Sequence, residues 1–495
     1  MLNLSIIQKS VYIVALILFL LNSVTFSQTT AQKIDNLIKQ YTDYGEFNGS
    51  VLISQNDGVI LKKGYGYANF EQSTPNSSHT KFYIGSVTKT FTDMLVLQMV
   101  QKGLIKLDGK VSDYLPNYPK PNGNQVTIYN LLTHTSGIPD YDNLPQIDYE
   151  KRYRHEEIMA MFDSLSLQFK PGTKFSYTNS GAFIAGIILE KVTGKSYSNL
   201  LQENILAPLR MKNTGYNDSN AMLDESATGY NVYGATITVQ SYTDMSIPFS
   251  AYGMYSTVED LQKWNEALYE EKLLSKKYMD IYFTPYKDNW ACDWMILKNP
   301  FHNADDSCLA TLRDGSMSRF ICFDTRLVNE KSSIILMNNT ASTRMEEMVK
   351  SITAILHGKP YALPKKSLQK KFIEIIDQKG LADAVTEVVS MASNTSTYYT
   401  SAHEFLRVAY TYEYHKKDLK SAIRVFELIS KLFPGTYNAY DSDIFADTSN
   451  VYRILGEAYV KDGQINKAIE CFNKALALNI NDMAAAEDLH KLTKK

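Results

Sequence analysis

One stretch limits the fold more than any other. From Ser86 to Val100 the chain carries Phe91, Met94, Leu95, Val96, Leu97, Met99 and Val100, and it stops at Gly103. A helix apolar almost all round cannot lie on a surface, so this segment predicts a buried central helix, with the glycine ending it. Such a helix needs layers around it. Gly49–Ser54 and Val59–Lys63 read as strands joined by Gln55-Asn56-Asp57-Gly58, and Asp-Gly is a hairpin signal. Phe320–Thr325 and Ser333–Met337 read as two more, with Asn329-Glu330-Lys331 between them. The middle carries helical patterns at Ile128–Thr133, His155–Phe162 and Gly181–Val192. Another runs from Thr257 to Tyr269, capped by Ser256 or Thr257, with Glu259-Asp260 in its first turn. Strands at both ends of a helical middle predict an α+β fold whose sheet is assembled from distant segments.

The rest of the chain divides around this unit. Lys9 followed by the apolar run Val11–Leu21, with Thr25 and Ser27 after it, predicts an export signal over residues 1–27. The run is shorter than the roughly 20 residues of a spanning helix. A periplasmic or secreted protein with no stable membrane span after cleavage is therefore expected. After Pro364 the composition changes: Lys365-Lys366 and Lys370-Lys371 mark a linker, and all that follows is helix-patterned. The expected division is 28–364 for the first domain and 365–495 for an all-α tail. Within the tail, Tyr452, Leu455, Gly456, Tyr459, Gly463, Ala468, Phe472 and Ala475 follow the spacing of a tetratricopeptide repeat, although Ile480 stands where Pro is usual. Ala422, Phe426 and Pro434 form an earlier degenerate copy, with Asp443–Ile454 as the expected insertion between them. Two repeats alone are marginal, so the tail is expected to pack on the first domain or on a helix over Lys371–Ser390. A protein partner for the tail is one expected use of it.

Charge narrows the partners. Lys plus Arg number 51 and Asp plus Glu 53, so no net field favours nucleic acid or an anionic membrane. A small-molecule or peptide substrate is expected instead. Of four cysteines, Cys292, Cys308 and Cys322 lie in one stretch and Cys471 in the tail, which predicts one disulfide or none. No His/Asp/Glu cluster has metal-ligand spacing, so neither metal nor cofactor is expected.

The central helix also begins with chemistry. Gly85-Ser86-Val87-Thr88-Lys89 puts a Ser and a Lys three apart, on one face of the helix start. The Lys ammonium can reach the hydroxyl, desolvation would lower its pKa toward that of a base, and the helix N-terminus favours negative charge on the oxygen. The same spacing recurs at Ser78/Lys81 and Ser367/Lys370, but in polar, solvated runs. Tyr-x-Asn recurs too, at Tyr67, Tyr141, Tyr177 and Tyr197. Only Tyr177-Thr178-Asn179 lies between the turn Pro171-Gly172 and an apolar helix, where both side chains can project into a cleft. A Tyr beside a Lys is a plausible general base, and the Asn amide can bind a substrate carbonyl or orient the Lys.

In chain order, Ser86-Val87-Thr88-Lys89, Leu131-Leu132-Thr133-His134-Thr135-Ser136-Gly137, Pro171-Gly172 with Tyr177-Thr178-Asn179, and Ser256-Thr257-Val258-Glu259-Asp260-Leu261 together resemble the class C β-lactamase-related family of penicillin-recognising serine hydrolases. The family also holds D-alanyl-D-alanine peptidases, D-aminopeptidases and esterases. The resemblance runs from about Ile34 to about His357. It implies a β-lactamase/transpeptidase-like antiparallel sheet with a helical subdomain. It further implies Ser86 as acyl-accepting nucleophile, Lys89 and Tyr177 as the proton-transfer pair, and Asn179 as a ligand to substrate and Lys89. The third family motif, Lys-x-Gly or His-x-Gly, aligns with Arg313-Asp314-Gly315. Arg313 keeps the cation but cannot shuttle a proton, and it is expected to bind a substrate carboxylate, or else to pair with a local acid and brace its strand. Gly315 would let the acyl group approach, and the Ser316 amide would join that of Ser86 as an oxyanion hole. His134 reads as a turn residue, and Trp264, Trp290 and Trp294 as core or rim residues. An alternative to hydrolysis is a decayed scaffold that binds a partner through its tail.

Overall fold

The computed structural model describes residues 28–434 and 448–494, apart from 57, 219–222, 235, 299–307, 342–343 and 480–481. The export signal and residues 443–447 of the expected insertion lie outside the described residues. The chain forms two compact units: residues 1–231 with 239–363, and 364–495 with 232–238.

The first unit is organised by a six-stranded sheet. Its strands are β1 (Gly49–Gln55), β2 (Gly58–Tyr65), β3 (Met295–Lys298), β4 (Leu309–Met317), β5 (Phe320–Leu327) and β6 (Ser332–Asn338). They lie in the order β3-β4-β5-β6-β1-β2, with every neighbouring pair antiparallel. In the centre Val51 faces Leu336, Leu52 faces Ile335 and Ile53 faces Ile334. Successive side chains alternate between faces, and here both faces are covered. Val51, Ile53, Ile334 and Leu336 pack with Ile34, Ile38, Met348 and Ile352 of the helices α1 (Thr30–Asp43) and α5 (Met345–Leu356). Leu52, Ile335 and Met337 join the larger core on the other side. Burial on both faces explains why these strands read as continuous apolar runs rather than alternating ones.

That larger core surrounds the predicted central helix. Gly85–Val87 forms a 3₁₀ turn that continues into α2 (Thr88–Gln101), in which every residue from Thr88 to Met99 is buried. Phe91 stacks on Trp264 of α4 (Val258–Ala267) at 4.1 Å between ring centres. Of the two candidate caps for α4, Thr257 is the one used: its side chain accepts the Asp260 N–H. The third helix here, α3 (Asn179–Thr193), begins at a cap in which the Thr178 side chain accepts the Ser180 N–H.

Among its described residues the tail's regular structure is helical apart from a two-residue strand pair joining Lys366–Ser367 to Tyr398–Tyr399. It comprises α6 (Leu368–Lys379), α7 (Leu381–Ala392), α8 (Ala402–Tyr410), α9 (Leu419–Leu432), α10 (Thr448–Lys461), α11 (Ile465–Leu478) and α12 (Met483–Thr493). The single helix expected over Lys371–Ser390 is broken in two, because Gly380 takes φ +88°, a conformation no helix interior allows. Residues 448–454, read as insertion, form the first turns of α10. The repeat residues Ala468, Phe472 and Ala475 are buried along one face of α11, and the ring of Phe472 leaves room only for a glycine at position 456.

Candidate active site

The 3₁₀ turn and the first turn of α2 bring Ser86 and Lys89 together. Lys89 is wholly buried, and its Nζ donates to Ser86 Oγ at 3.0 Å, Asn179 Oδ1 at 2.7 Å and the Ala251 carbonyl at 2.9 Å. An ammonium has three hydrogens, and three acceptors meet them. Tyr177, one residue before the cap of α3, brings its hydroxyl to 2.8 Å from Ser86 Oγ. The Lys89 ammonium also lies 5.0 Å from the centre of the Tyr177 ring.

Asn179 is engaged at both ends of its amide. While Oδ1 receives Lys89, Nδ2 donates to Asp142 at 2.8 Å and Asp140 at 3.2 Å. Asp142 also accepts from the Tyr252 hydroxyl at 2.8 Å. Burial first, and the neighbouring Asp140 second, raise its carboxyl to about 7. Through Oδ1 Asn179 orients Lys89, one of the two roles expected of it.

The far wall is β4. Its neighbour β3 ends at Met295, opposite Leu312, so from Arg313 onward no strand covers the outer edge of β4. The turn carrying Ser86 lies against that edge at van der Waals limits. A Cβ on Gly315 would sit 2.7 Å from the Ser86 nitrogen, and one on Gly85, which has φ +53°, would sit 2.4 Å from the Ser316 nitrogen. Only glycine fits either position. The Gly85–Ser86 and Gly315–Ser316 backbones thus run in close contact.

Arg313 departs from its first expected role. It is only 2% exposed and turned inward. Nη2 donates to the Tyr177 hydroxyl at 2.7 Å and lies 3.3 Å from Asp293 Oδ1, while Nε donates to the Ser86 carbonyl at 3.2 Å. Nη1 lies 3.6 Å from Asp314 Oδ1, and the guanidinium stands over the rings of Tyr177 and Trp290. Burial works against its charge, but Tyr177, Asp293 and Asp314 outweigh that and hold it firmly protonated. The group is committed inside the protein, so the second expectation, pairing with an acid, describes it better; the main acid is Asp293 rather than Asp314.

Sequence reading missed Asp293. It is buried, and its Oδ1 lies 3.0 Å from His134 Nε2. Burial alone would raise its carboxyl, yet His134 and Arg313 reverse that and hold it below the usual range. Asp93, one turn after Lys89 on α2, is driven the other way, well above the usual range, by burial and then by Asp293. His134 likewise is more than a turn residue: its Nδ1 accepts the Thr178 N–H at 3.3 Å and its ring lies 4.4 Å from that of Tyr177. The only signal in the sequence was the cluster of aromatic residues Trp290 and Trp294 around position 293.

The competing motifs are accounted for elsewhere. Ser78 bonds Glu259 and Lys81 bonds the Asp224 carbonyl. Ser367 caps α6. Tyr141 and Tyr197 are buried on the Ile247 carbonyl and on Thr92. Trp264 and Trp294 are core residues, and Trp290 stacks on Phe175 beside the site. All four cysteines are buried free thiols.

A six-stranded antiparallel sheet with a buried helix presenting Ser-x-x-Lys at its edge defines the architecture of penicillin-recognising proteins, and comparison with known proteins agrees. A profile of the β-lactamase family matches residues 34–291, and one of the tetratricopeptide repeat matches 449–482. The chain belongs to the β-lactamase/transpeptidase family and carries a tetratricopeptide repeat in its tail. Among curated relatives, Protein flp of Staphylococcus aureus (strain MW2) is 30% identical over 346 residues, covering 67% of this chain and 68% of that protein. Penicillin-binding protein 4* of Bacillus subtilis (strain 168) is 26% identical over 370 residues, covering 70% and 80%. Among solved structures, a penicillin binding protein from Bacillus halodurans superposes with a TM-score of 0.57 at 25% identity, covering 65% of this chain and 98% of that one. A D-amino acid amidase from Ochrobactrum anthropi SV3 shares the fold with a TM-score of 0.57 at 23% identity, covering 66% and 99%.

Proposed function

We propose that this protein is a serine hydrolase that cleaves a small ester, amide or D-amino-acid peptide through an acyl-Ser86 intermediate. The observation that carries the reading is the Ser86 hydroxyl held at 2.8 Å from Tyr177 Oη and 3.0 Å from Lys89 Nζ. With Tyr177 entering as the phenolate between Lys89 and Arg313, Ser86 Oγ attacks the substrate carbonyl carbon as its proton passes to Tyr177 Oη. Lys89, with all three hydrogens engaged, stabilises the developing charge rather than taking the proton. The carbonyl oxygen becomes an oxyanion between the Ser86 and Ser316 amides, the kind of preorganised donor pair whose loss costs about 10²–10³ in rate. Tyr177 returns its proton to the departing amine or alcohol, leaving the acyl-serine. A water molecule then attacks the acyl carbon, gives its proton to Tyr177, and the acid product leaves as Ser86 Oγ regains that proton.

Two further features support the substrate class. A cavity of about 370 Å³ lined by Tyr83, Tyr242, Met245, Met317 and Phe320 opens beside the end of β4 and suits an apolar acyl or side-chain group. The printed names of similar proteins include penicillin-binding proteins and D-amino acid amidases. We read residues 1–27 as an export signal, which would bring the enzyme to extracytoplasmic substrates. The mature protein should take one fluorophosphonate on Ser86. Ser86→Ala should abolish labelling, while Ser78→Ala and Ser367→Ala label normally. A folded protein that takes no label at any pH, and hydrolyses neither nitrophenyl acetate nor D-amino acid amides, would overturn the reading in favour of a binding scaffold.

A further inference from the structure

Two buried residues outside the Ser–Lys–Tyr group stand in unusual backbone positions. His134 has φ +51° and Asp293 φ +56°, and they hydrogen-bond to each other at 3.0 Å although far apart in the chain. Non-glycine residues in the left-handed region persist where the surroundings over-determine them, and such strain gathers at functional sites. Here the surroundings form a closed circuit. Tyr177 Oη receives Arg313 Nη2, that nitrogen lies 3.3 Å from Asp293 Oδ1, Asp293 meets His134 Nε2, and His134 Nδ1 accepts the N–H of Thr178, the residue next to Tyr177. Because Nδ1 accepts, Nε2 carries the hydrogen toward Asp293, so the ring has one defined tautomer. The backbone continues the link: the Ser176 N–H donates to the His134 carbonyl and the Gly172 N–H to that of Thr135.

We propose that Asp293 and His134 are positioning residues for the reaction of Ser86, which fix the Arg313 guanidinium on the Tyr177 hydroxyl. The proposal rests on the hydrolase reading above. Neither residue reaches the place where substrate would lie. Each acts through Arg313, whose cation stabilises negative charge on Tyr177 Oη when that oxygen is stripped of its proton and directs the oxygen at Ser86. Without Asp293 the guanidinium keeps its bonds to Tyr177 and the Ser86 carbonyl but loses the buried acid that balances the pull of Asp314 at the strand surface, 3.6 Å from its other nitrogen. Arg313 therefore serves proton transfer on every substrate, not recognition of carboxylates.

The test compares Asp293→Asn, His134→Asn, His134→Gln and Arg313→Lys with wild type in the full-length mature protein. Asparagine tolerates the left-handed backbone, so the first two variants remove the charge or the Nε2 donor while leaving the turn possible. With nitrophenyl acetate, Asp293→Asn should lower kcat about 100-fold, the lower edge of general-base assistance, and His134→Asn about 10-fold, with KM within threefold of wild type. His134→Gln, whose side-chain amide can stand where Nε2–H stood, should recover most of the loss. Arg313→Lys should lower kcat/KM by the same factor on nitrophenyl acetate and on a matched ester bearing a free carboxylate. Thermal unfolding of each variant is recorded alongside. An Asp293→Asn enzyme with a lowered Tm but a kcat within threefold of wild type would reduce the circuit to a structural brace and overturn the proposal. If the Asp293 and His134 variants do not fold, the Arg313→Lys pair decides: a loss confined to the carboxylated ester overturns it. Ser86→Ala separates the two levels, since a Ser86→Ala enzyme that still hydrolyses defeats the hydrolase reading itself, whereas an inactive one beside a fully active Asp293→Asn defeats only this inference.

Discussion

The two units of this chain treat charge in opposite ways. The first holds Lys89, Asp93, Asp293, Arg313, Asp324 and Arg326 in its interior, each 2% exposed or less. In the tail the charged side chains of Glu404 and Glu413 are buried, the first accepting from the Ser367 hydroxyl at 2.9 Å and the second paired with Lys461. Of the tail's ion pairs, Lys371 with Glu374 and Lys491 with Glu487 lie on the surface of single helices, while Lys379 with Glu387 and Lys461 with Glu413 pair between helices. Its interior is instead Ala422, Phe426, Ala468, Phe472 and their apolar neighbours. Surface pairs contribute little, and buried charges are costly unless each has a partner. A unit that only needs to be a scaffold has no reason to bear that cost. Within the first unit, Lys89, Asp93, Asp293 and Arg313 gather around Ser86, whereas Asp324 and Arg326 are buried away from it.

The contrast can be broken most sharply at the site. Tyr177→Phe and Lys89→Ala should each lower kcat on nitrophenyl acetate by about 10²–10⁴-fold and change KM little, since both act on a proton or a charge in the transition state. Losses under threefold in both would show that buried charge here is structural. The converse probe lies in the tail. Phe472→Ala removes a wholly buried ring packed on Gly456 and should cost about 3–5 kcal/mol of tail stability by denaturant unfolding. Ser86 labelling and hydrolysis should stay within twofold; a large fall in activity would mean the tail is more than a scaffold. The smallest effect tests a buried charge away from Ser86. Burial raises the Asp324 carboxyl from 3.8 to about 7 even though Asn265 donates to it at 2.6 Å. The folded protein then holds this proton more tightly than the unfolded chain, so stability present below pH 4 is lost as pH rises toward 7. At about 1.4 kcal/mol per pH unit the loss is at most about 4 kcal/mol. Asp324→Asn cannot ionise, so its Tm should fall less than that of wild type between pH 4 and pH 8. Parallel Tm profiles would remove Asp324 as a source of the pH dependence.

Much of this was legible in the sequence, and what was not has a common physical reason. Ser86, Lys89, Tyr177 and Asn179 could be found because their chemistry is local: each motif carries its own turn, cap and helix start. The central strands β1 and β6 could be read because two covered faces demand an unbroken apolar run. Strand β3 could not, since it lies at a sheet edge with three residues half-buried and Lys298 exposed, and carries no alternation. The orientation of Arg313 and the presence of Asp293 depend on contacts between positions 134, 177, 293 and 313, which no local pattern encodes. In the tail, the left-handed Gly380 was hidden inside a sequence that is otherwise helical on either side.

The backbone seam between Gly85 and Gly315 has a consequence in time as well as space. During synthesis Ser86 leaves the ribosome long before Gly315 and Ser316 exist, and by the geometry above its turn is completed only when β4 arrives against it. Until then Ser86 has neither the Ser316 backbone beside it nor Arg313 on Tyr177. On the hydrolase reading proposed above, the growing chain would therefore be inactive, and activity would switch on only when β4 docks against the Ser86 turn.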